Sequence, residues 1–283
     1  MEIKIVKQIL EWNEDVSNEN IRELARSRVC LINLMGSPGG GKTSLIRQII
    51  ARLRDKYHIG IIEGDIAGQI DADAIHALGI PVVQLQTDGA CHIEARSIQN
   101  ILPMFELNDL DVLIVENIGN LVCPAEFNIG ESFRVAILSV PEGDDKVEKY
   151  PLMFSTTDAL VISKYDTRPY FDFDDGRVEQ DQHDANPNAP VFRLSSRTGD
   201  GMDAFIEWLD GRISLELEKA AAADLSTGTA GEKQSGTAGE KQSGGAAAGP
   251  GAEAAGPGAE AAGPGVEAAL SRTPDSNAKE AFS

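Results

Sequence analysis

The segment GSPGGGKT at residues 36–43 constrains the fold of this chain more than any other feature. It fits the pattern G-x-x-x-x-G-K-[ST], and it lies between the apolar run Val29–Met35 and the helical pattern Lys42–Lys56. A glycine-rich turn in this context requires a buried strand that leads directly into a helix. The segment therefore predicts the phosphate-binding loop of a P-loop fold.

The residue types of this loop suit a triphosphate bound with Mg²⁺. Its glycines have no Cβ, so the backbone can curve closely around a phosphate with its N–H groups pointing inward. The helix that begins near Lys42 adds the positive end of its dipole. We expect Lys42 to reach the β- and γ-phosphates and the Thr43 hydroxyl to bind Mg²⁺. The predicted nucleotide-binding residues of the loop are Gly36, Gly39, Gly40, Gly41, Lys42, Thr43 and Ser44.

Short apolar runs rich in Val, Ile and Leu recur between residues 29 and 194, and helical patterns separate several of them. Runs of this length are typical of strands buried on both faces. The alternation predicts an α/β fold with a mostly parallel sheet flanked by helices, in which ligands bind beyond the carboxyl ends of the strands. The predicted strands are Val29–Met35, Ile59–Ile62, Val82–Leu85, Val112–Val115, Val135–Val140, Leu160–Ser163 and Val191–Leu194, and the predicted helices are Lys42–Lys56, Ile70–Leu78, Ile93–Phe105 and Gly201–Leu217.

Composition divides the 283 residues into three parts. An amphipathic pattern predicts an N-terminal helical segment over residues 1–28. The alternating pattern predicts the P-loop domain over residues 29–220. Beyond it, the tandem repeats GTAGEKQS and GPGAEAA lack apolar periodicity and cannot bury enough surface to offset the entropy of ordering. We therefore predict a disordered low-complexity tail over residues 221–283.

Charge and cysteine content narrow the function further. The chain has 25 Lys and Arg against 45 Asp and Glu, a formal net charge of −20, so it lacks the basic surface that nucleic-acid binding requires. No run approaches the roughly 18–20 apolar residues of a membrane span, and the N-terminus lacks the apolar core of a secretory signal. Three cysteines are too few for a disulfide framework. We expect a cytoplasmic protein that binds neither nucleic acid nor membrane.

A switch-like segment follows the run Val112–Val115. Residues 116–119, Glu-Asn-Ile-Gly, match the D-x-x-G switch of GTPases with Glu in place of Asp. Gly119 would bond the γ-phosphate through its N–H and move when that phosphate leaves. Asp65, which comes soon after the run Ile59–Ile62, is expected to hold Mg²⁺ directly or through water, and Glu116 is the alternative. Lys42, Asp65 and Glu116 are thus the predicted catalytic residues, without a side chain assigned as general base.

Residues 163–166, Ser-Lys-Tyr-Asp, resemble the N-K-x-D motif that reads guanine. Asp166 would accept hydrogen bonds from N1–H and the amino group of guanine, donors that adenine lacks there. Lys164 would lie over the base. Ser163 replaces the usual Asn, which we expect to weaken the contact that tethers the phosphate loop. Residues 195–197, Ser-Ser-Arg, occupy the position where GTPases place the loop that closes over the base, and Ser195 and Ser196 are the predicted nucleotide-binding residues there.

Cys91, His92 and Cys123 form a candidate metal site. Cys91 and His92 are adjacent, and Cys123 follows Gly119 by four residues. Thiolate and imidazole ligands suit Ni²⁺, Zn²⁺ and copper, and three ligands leave a four-coordinate site open to water, a second subunit or a partner. On residue chemistry alone, these cysteines could equally be small buried hydrophobes. Cys30, inside the first predicted strand, is assigned to the core.

The run ENIGNLVCP at 116–124, with GSPGGGKT, the CHIEA segment and PEGDDKVEKYP at 141–151, resembles the hydrogenase nickel-incorporation GTPases (HypB-like) over about residues 20–217. The resemblance implies a SIMIBI-type GTPase that hydrolyses GTP slowly and forms a GTP-promoted homodimer. It also implies that Cys91, His92 and Cys123 bind Ni²⁺ or Zn²⁺ at or near the dimer interface. The implied partners are a small zinc-containing nickel chaperone and the hydrogenase large-subunit precursor.

Two features depart from this family pattern, and three other functions stay open. The first 29 residues hold no Cys or His, so the N-terminal nickel-storage site of some members is not expected. The tail is not part of the pattern. The alternatives are a GTPase accessory protein for urease, which would lack the ENxGNLVCP run, and a nucleotide-gated scaffold whose cysteines are structural and whose tail recruits partners. An ATP-dependent kinase is the third, and Asp166 opposes it.

Overall fold

The computed structural model describes residues 2–64, 79–86 and 89–231. The predicted helix Ile70–Leu78, the candidate magnesium ligand Asp65 and the part of the predicted tail from residue 232 onward lie outside the described residues.

Every apolar run that was predicted as a strand is a strand of one sheet. The strands are β1 (Cys30–Gly36), β2 (Ile59–Glu63), β3 (Val82–Gln84), β4 (Val112–Glu116), β5 (Phe133–Ser139), β6 (Ala159–Ser163) and β7 (Val191–Arg193). Within the described residues the sheet has seven strands in the order β3-β2-β4-β1-β5-β6-β7, and all neighbouring pairs are parallel. The predicted α/β class and parallel sheet are confirmed.

The prediction that these strands are buried on both faces holds for the five inner strands but is wrong for the two edge strands. Residues of the inner strands are buried apart from Arg134, which is half-buried, whereas those of β3 and β7 are half-buried or exposed. An edge strand has only one neighbour, and its residues are covered on fewer sides. Apolar composition alone did not distinguish the two situations.

Helices cover both faces of the sheet. They are α1 (Glu2–Ser27), α2 (Lys42–Leu53), α3 (Ala95–Ile101), α4 (Cys123–Glu126), α5 (Lys146–Lys149), α6 (Pro151–Ser155), α7 (Asp175–Ala185) and α8 (Met202–Gly231), with 3₁₀ turns at Leu102–Met104, Leu107–Asp109, Val140–Glu142 and Tyr165–Tyr170. The helix α8 continues past the predicted domain end at residue 220, where four consecutive alanines favour helix. Among the described residues, no helix is both long and apolar enough to cross a membrane.

Side chains that alternate along β1 belong to two different hydrophobic clusters, one on each face of the sheet. Ile32 and Leu34 point to the face that α2 and α8 cover, where they join Ile46 and Phe205 in one buried cluster. Leu31 points to the other face and packs in the cluster that contains residues of α1 and α3. This layered packing fixes the carboxyl ends of β1, β2, β4 and β6 at one edge of the sheet, and the loops that follow them form the site described below.

Candidate functional site

The phosphate loop has the backbone conformation that its glycines predict. Gly39 and Gly41 have φ values of +70° and +101°, in the left-handed region that favours glycine. Gly41 precedes the first residue of α2, and no side chain caps the N-terminus of that helix. Its first backbone N–H groups are therefore directed at the position that a phosphate would take.

Lys42 and Thr43 point toward the carboxyl ends of the strands. The Lys42 side chain is buried, and its Nζ donates to the carbonyl of Ser37 at 3.2 Å. The Thr43 Oγ1 donates to Oε1 of Glu116 at 2.8 Å. The hydroxyl expected to bind Mg²⁺ and the carboxylate proposed as the alternative magnesium group thus lie side by side.

A second carboxylate, which sequence reasoning missed, lies on the neighbouring strand. Glu63 of β2 is paired in register with Glu116 of β4, and each residue is only 1% exposed. The only sequence signal was its position as the last residue of an apolar strand, directly before Gly64. Two carboxylates buried at the ends of adjacent strands, one of them hydrogen-bonded to the hydroxyl of Thr43, are an oxygen-rich environment of the kind that Mg²⁺ prefers.

The switch-like segment rests directly on the phosphate loop. A Cβ atom at Gly119 would lie 2.7 Å from Cα of Pro38, so only glycine fits there without displacement. The backbone N–H of the next residue, Asn120, donates to the carbonyl of Gly36 at 3.1 Å. The segment that was predicted to sense the γ-phosphate is thus in contact with the loop predicted to bind it.

The predicted guanine site is a cavity of about 550 Å³ at the ends of β6 and β7. Asp166 lies in its wall, where Oδ1 accepts from the Ser195 hydroxyl at 2.6 Å and Oδ2 accepts from Nη2 of Arg197 at 2.6 Å. The hydrogen bond from Ser195, followed by that from Arg197, lowers the pKa of Asp166. The carboxylate is therefore ionised and pre-oriented, as an acceptor for two guanine donors must be. The cavity is lined by Gly41, Ser44, Ser163, Lys164, Asp166, Thr167, Ser195, Ser196 and Arg197.

Ser163 and Lys164 of this region both contact the phosphate loop. The Ser163 hydroxyl donates to the carbonyl of Gly40, so serine does make the tethering contact that we expected its substitution for Asn to weaken. The Lys164 ammonium donates to the carbonyl of Gly39 at 2.6 Å and thus also contacts the phosphate loop. Arg197, which belongs to the predicted closing loop but was not assigned a contact, holds the second oxygen of Asp166.

The three candidate metal ligands come together. Sγ of Cys91 lies 3.1 Å from Sγ of Cys123 and 3.4 Å from Nδ1 of His92, and one ligand atom from each residue lies within 4.8 Å of the other two. The hydrogen bond between the two sulfurs, which favours the neutral thiol of Cys123, is the main cause of the raised pKa of Cys123. A bound metal would displace the thiol proton.

The environment of His92 keeps it in the form that binds metals. Its ring stacks on Phe127 with centroids 3.8 Å apart, and burial lowers its pKa, which favours the neutral imidazole. Nε2 is buried and has no hydrogen-bond partner among the described residues, and the carboxylate of Glu94 lies 3.8 Å away. A soft, partly shielded set of two sulfurs and one nitrogen fits Ni²⁺ or Zn²⁺.

Cys30 is not part of this set. It is 1% exposed in β1, and burial raises the pKa of its thiol to about 12. A thiol that stays protonated inside an apolar core is neither a ligand nor a nucleophile. Its assignment to the core is confirmed.

Asn120 connects the metal ligands to the phosphate loop, and sequence reasoning missed it. Its backbone N–H bonds Gly36, its Nδ2 donates to the carbonyl of Cys91 at 3.3 Å, and its Oδ1 accepts from the N–H of Val122 at 2.8 Å. One residue thus contacts the phosphate loop, the Cys91 segment and the residue before Cys123. The sequence signal for Asn120 is its place inside the run ENIGNLVCP, between the switch glycine and Cys123.

Asn117, from the same run, holds the neighbouring turn. It is fully buried, its Nδ2 donates to Oδ1 of Asn33 at 3.1 Å, and its Oδ1 accepts from the N–H of Ile118 at 2.9 Å and of Ile93 at 3.4 Å. Because Ile93 follows His92 directly, this amide also ties the end of β4 to the metal-ligand segment.

Comparison with known proteins gives a consistent result. The family described as "CobW/HypB/UreG, nucleotide-binding domain" matches residues 30–193. The hydrogenase maturation factor HypB of Escherichia coli K12 is 38% identical over 210 residues, 74% of this chain and 72% of that protein. The hydrogenase/urease maturation factor HypB of Helicobacter pylori J99 is 38% identical over 212 residues, 74% of this chain and 87% of that protein.

A solved structure of similar fold carries a metal. The crystal structure of HypB from Helicobacter pylori in complex with nickel has a TM-score of 0.69 and 34% identity, and the match covers 72% of this chain and 96% of that one.

Proposed function

We propose that this chain, which belongs to the CobW/HypB/UreG nucleotide-binding family, is a GTP-dependent nickel metallochaperone for hydrogenase maturation. The chain is similar to HypB over most of its folded part. The observation that carries the proposal is the convergence of Cys91, His92 and Cys123 within 4.8 Å, beside the segment that contacts the phosphate loop. One of the two cysteines is exposed and the other half-buried, so neither is a residue of the apolar core.

GTP would bind with its phosphates at residues 36–43 and its base in the cavity beside Asp166. The N–H groups at the start of α2 and the ammonium of Lys42 would neutralise the phosphate charge, and Asp166 would accept from the guanine edge. We propose that the chain hydrolyses GTP to GDP and phosphate. In that reaction the backbone of the loop would hold the γ-phosphate while the Lys42 ammonium would stabilise the charge that develops on it.

Thr43 and Glu116 would position Mg²⁺, with Asp65 as a further candidate ligand. The Thr43 hydroxyl donates to the Glu116 carboxylate at 2.8 Å, so both oxygens would be available to one cation once the hydroxyl proton turns away. The ion, when bound, neutralises charge on the β- and γ-phosphates. In its absence Thr43 keeps Glu116 satisfied, which avoids an uncompensated carboxylate beside the loop.

Hydrolysis would reach the metal site through Gly119 and Asn120. Release of the γ-phosphate frees Gly119 from its contact with the nucleotide, and Asn120 then shifts relative to Gly36. Because Asn120 also bonds the Cys91 carbonyl and the N–H beside Cys123, that shift changes the separation of the two sulfurs. Nickel affinity thus depends on the nucleotide, and linkage requires nickel to alter nucleotide affinity by the same factor.

Nickel is the cargo of this cycle, and zinc is the alternative occupant of the same ligands. Three protein ligands leave positions open, through which a second subunit or an acceptor can take the metal. We propose a homodimer promoted by GTP, a small zinc-containing nickel chaperone as a partner and the hydrogenase large-subunit precursor as the client. The cytoplasm is the proposed compartment.

Urease maturation is the second candidate for the client. One relative is named a hydrogenase/urease maturation factor, so a single chain of this type is associated with both enzymes. Both clients require the same nickel chemistry at Cys91, His92 and Cys123, and they differ only in the partner that docks.

The deciding experiment measures Ni²⁺ affinity of the purified full chain with GDP and with a non-hydrolysable GTP analogue. The coupling proposal expects affinities that differ by about 5- to 150-fold, the usual range of coupling between sites. Equal affinities would end the coupling, and absence of stoichiometric nickel would favour a scaffold with structural cysteines. Competition of GTP with ATP in the same assay tests the guanine assignment.

A further inference from the structure

We propose that Asn13 and Asn20 of α1 are positioning residues for the metal site, because each amide bridges the two chain segments that carry the metal ligands. The inference rests on the proposed function, since it assumes that Cys91, His92 and Cys123 hold nickel. It assigns a task to the N-terminal helix, which contributes no residue to the phosphate loop or to the guanine cavity in the described part of the chain.

Asn13 makes one hydrogen bond to each segment. Its Oδ1 accepts from the N–H of Ala95 at 2.9 Å, and Ala95 follows His92 by three residues. Its Nδ2 donates to the carbonyl of Asn128 at 2.7 Å, and Asn128 follows Cys123 by five residues. Asn13 is 5% exposed, so water does not compete for either bond.

Asn20 repeats the bridge two turns further along the helix. Its Nδ2 donates to the carbonyl of Ala95 at 2.8 Å and to the carbonyl of Ile129 at 3.0 Å, and the residue is fully buried. Gly130 allows this close approach, because a Cβ there would lie 2.7 Å from Cβ of Asn20 and its φ is +95°. The backbone of Ala95 is therefore held on both its N–H and its carbonyl by one helix.

Apolar packing alone would hold α1 on the domain, so cohesion does not explain these amides. Burying an amide carries a desolvation cost that is offset only when its hydrogen bonds are made in one geometry. Such bonds fix a distance and an orientation, whereas apolar contacts allow small displacements. Here the fixed distance is the one between the Cys91-His92 segment and the Cys123 segment.

The metal ligands need such external support. Cys91 is exposed and lies in a loop, and Cys123 is the first residue of the four-residue helix α4. Neither element is long enough to be stable by itself. Two contacts at the surface also join α1 to α3. Gln99 donates to Glu19 at 2.7 Å, and the Arg96 guanidinium lies 5.1 Å from the ring centroid of Trp12. Because these groups face solvent, they add little to the bridge.

The test compares Asn13→Asp with Asn18→Asp in the full chain. Asp at 13 keeps the acceptor for the N–H of Ala95 but cannot donate to the carbonyl of Asn128, so it cuts the bridge on the Cys123 side only. Asn18 lies on the same helix, is exposed, and donates only to the carbonyl of Glu14. The control variant Asn18→Asp therefore introduces the same negative charge at a position that does not bridge the two ligand segments.

We expect Asn13→Asp to weaken Ni²⁺ binding at least tenfold and to shift the sulfur-to-nickel charge-transfer absorption, which reports the geometry of the sulfurs. GTP-analogue affinity should stay within twofold of the wild type, and Asn18→Asp should change none of these values. Should both variants bind nickel as the wild type does, with the same absorption, the inference fails while the proposed function stands. A wild type that binds no nickel overturns both.

A measurement on the unmodified chain protects the test against a variant that does not fold. If α1 holds the ligand segments, nickel must in turn stabilise α1, by linkage. Hydrogen exchange of backbone amides in residues 10–27 should slow when nickel is added to the wild-type protein. Unchanged exchange there, under conditions where nickel is bound, overturns the inference.

Discussion

Gly119 packs against Pro38 so closely that a Cβ atom at position 119 would lie 2.7 Å from both N and Cα of Pro38. The two residues belong to the two elements that the γ-phosphate would join, the switch-like segment and the phosphate loop. Contact of backbone with backbone, without side chains between, means that a movement of one element is transmitted directly to the other.

Gly119→Ala tests this contact. The added methyl group meets backbone atoms that cannot rotate away, so either the phosphate loop or the switch-like segment must shift. We expect binding of a GTP analogue to weaken at least tenfold and nickel affinity to become independent of the nucleotide. Fluorescent-nucleotide titration and nickel competition measure the two effects.

Gly211→Ala is the matched control for that substitution. Gly211 lies in α8, and a Cβ there meets no atom within 4 Å. Alanine should stabilise the helix by up to about 1 kcal/mol and leave nucleotide and nickel binding unchanged. Loss of nucleotide binding in both variants would show that the effect at Gly119 is not specific.

Asn120→Ala should separate nucleotide binding from metal binding. The side chain bonds the Cys91 carbonyl and the N–H of Val122, whereas its bond to Gly36 is made by the backbone and survives the substitution. We therefore expect near-normal GTP affinity and a nickel affinity that no longer differs between the GDP and GTP-analogue states. Retention of the wild-type difference in this variant would contradict the proposed route through Asn120.

Residue patterns were sufficient for the sheet, for the conformation of the phosphate loop and for the cavity beside Asp166. These depend on local rules: apolar runs of strand length, glycines with positive φ and a carboxylate after a strand. The alternation of Ile32 and Leu34 with Leu31, for example, follows from strand geometry alone. The same patterns did not distinguish edge strands from inner ones, because burial depends on which strands become neighbours.

Contacts made by polar side chains between distant segments could not be predicted. Nothing in a single sequence indicates that Asn13 and Asn20 meet Ala95, since each contact depends on the final placement of two backbones. Glu63 was missed for a related reason: its register with Glu116 is a property of the sheet and not of either strand.

Substitution of each cysteine in turn should separate ligands from core. Cys91→Ala and Cys123→Ala should each reduce bound nickel below one equivalent or lower the nickel affinity at least a hundredfold, because two ligands hold the ion far less well than three. Cys30→Ala should keep full stoichiometry and lower the free energy of unfolding by about 1 kcal/mol, for the small cavity it leaves. Nickel analysis after gel filtration and denaturant titration measure both. Unchanged nickel content in Cys123→Ala would favour the scaffold alternative.

Arg197 and Asp166 should have opposite effects on GTP binding. In the nucleotide-free chain the Arg197 guanidinium occupies Oδ2 of Asp166, where guanine would donate, so the base must replace this contact. The Arg197 side chain is 81% exposed, and exposed ion pairs contribute about 0.2–1 kcal/mol. Arg197→Ala should therefore tighten GTP binding by no more than about fivefold.

Asp166→Asn removes the acceptor itself and should weaken GTP binding at least tenfold. Xanthosine triphosphate has an oxygen where guanine has an amino group, so it should bind this variant better than GTP does. Calorimetric titration of both variants with both nucleotides measures these affinities. Weaker GTP binding by Arg197→Ala would show that the guanidinium does not compete with the base, but orients Asp166 for it or contacts the nucleotide.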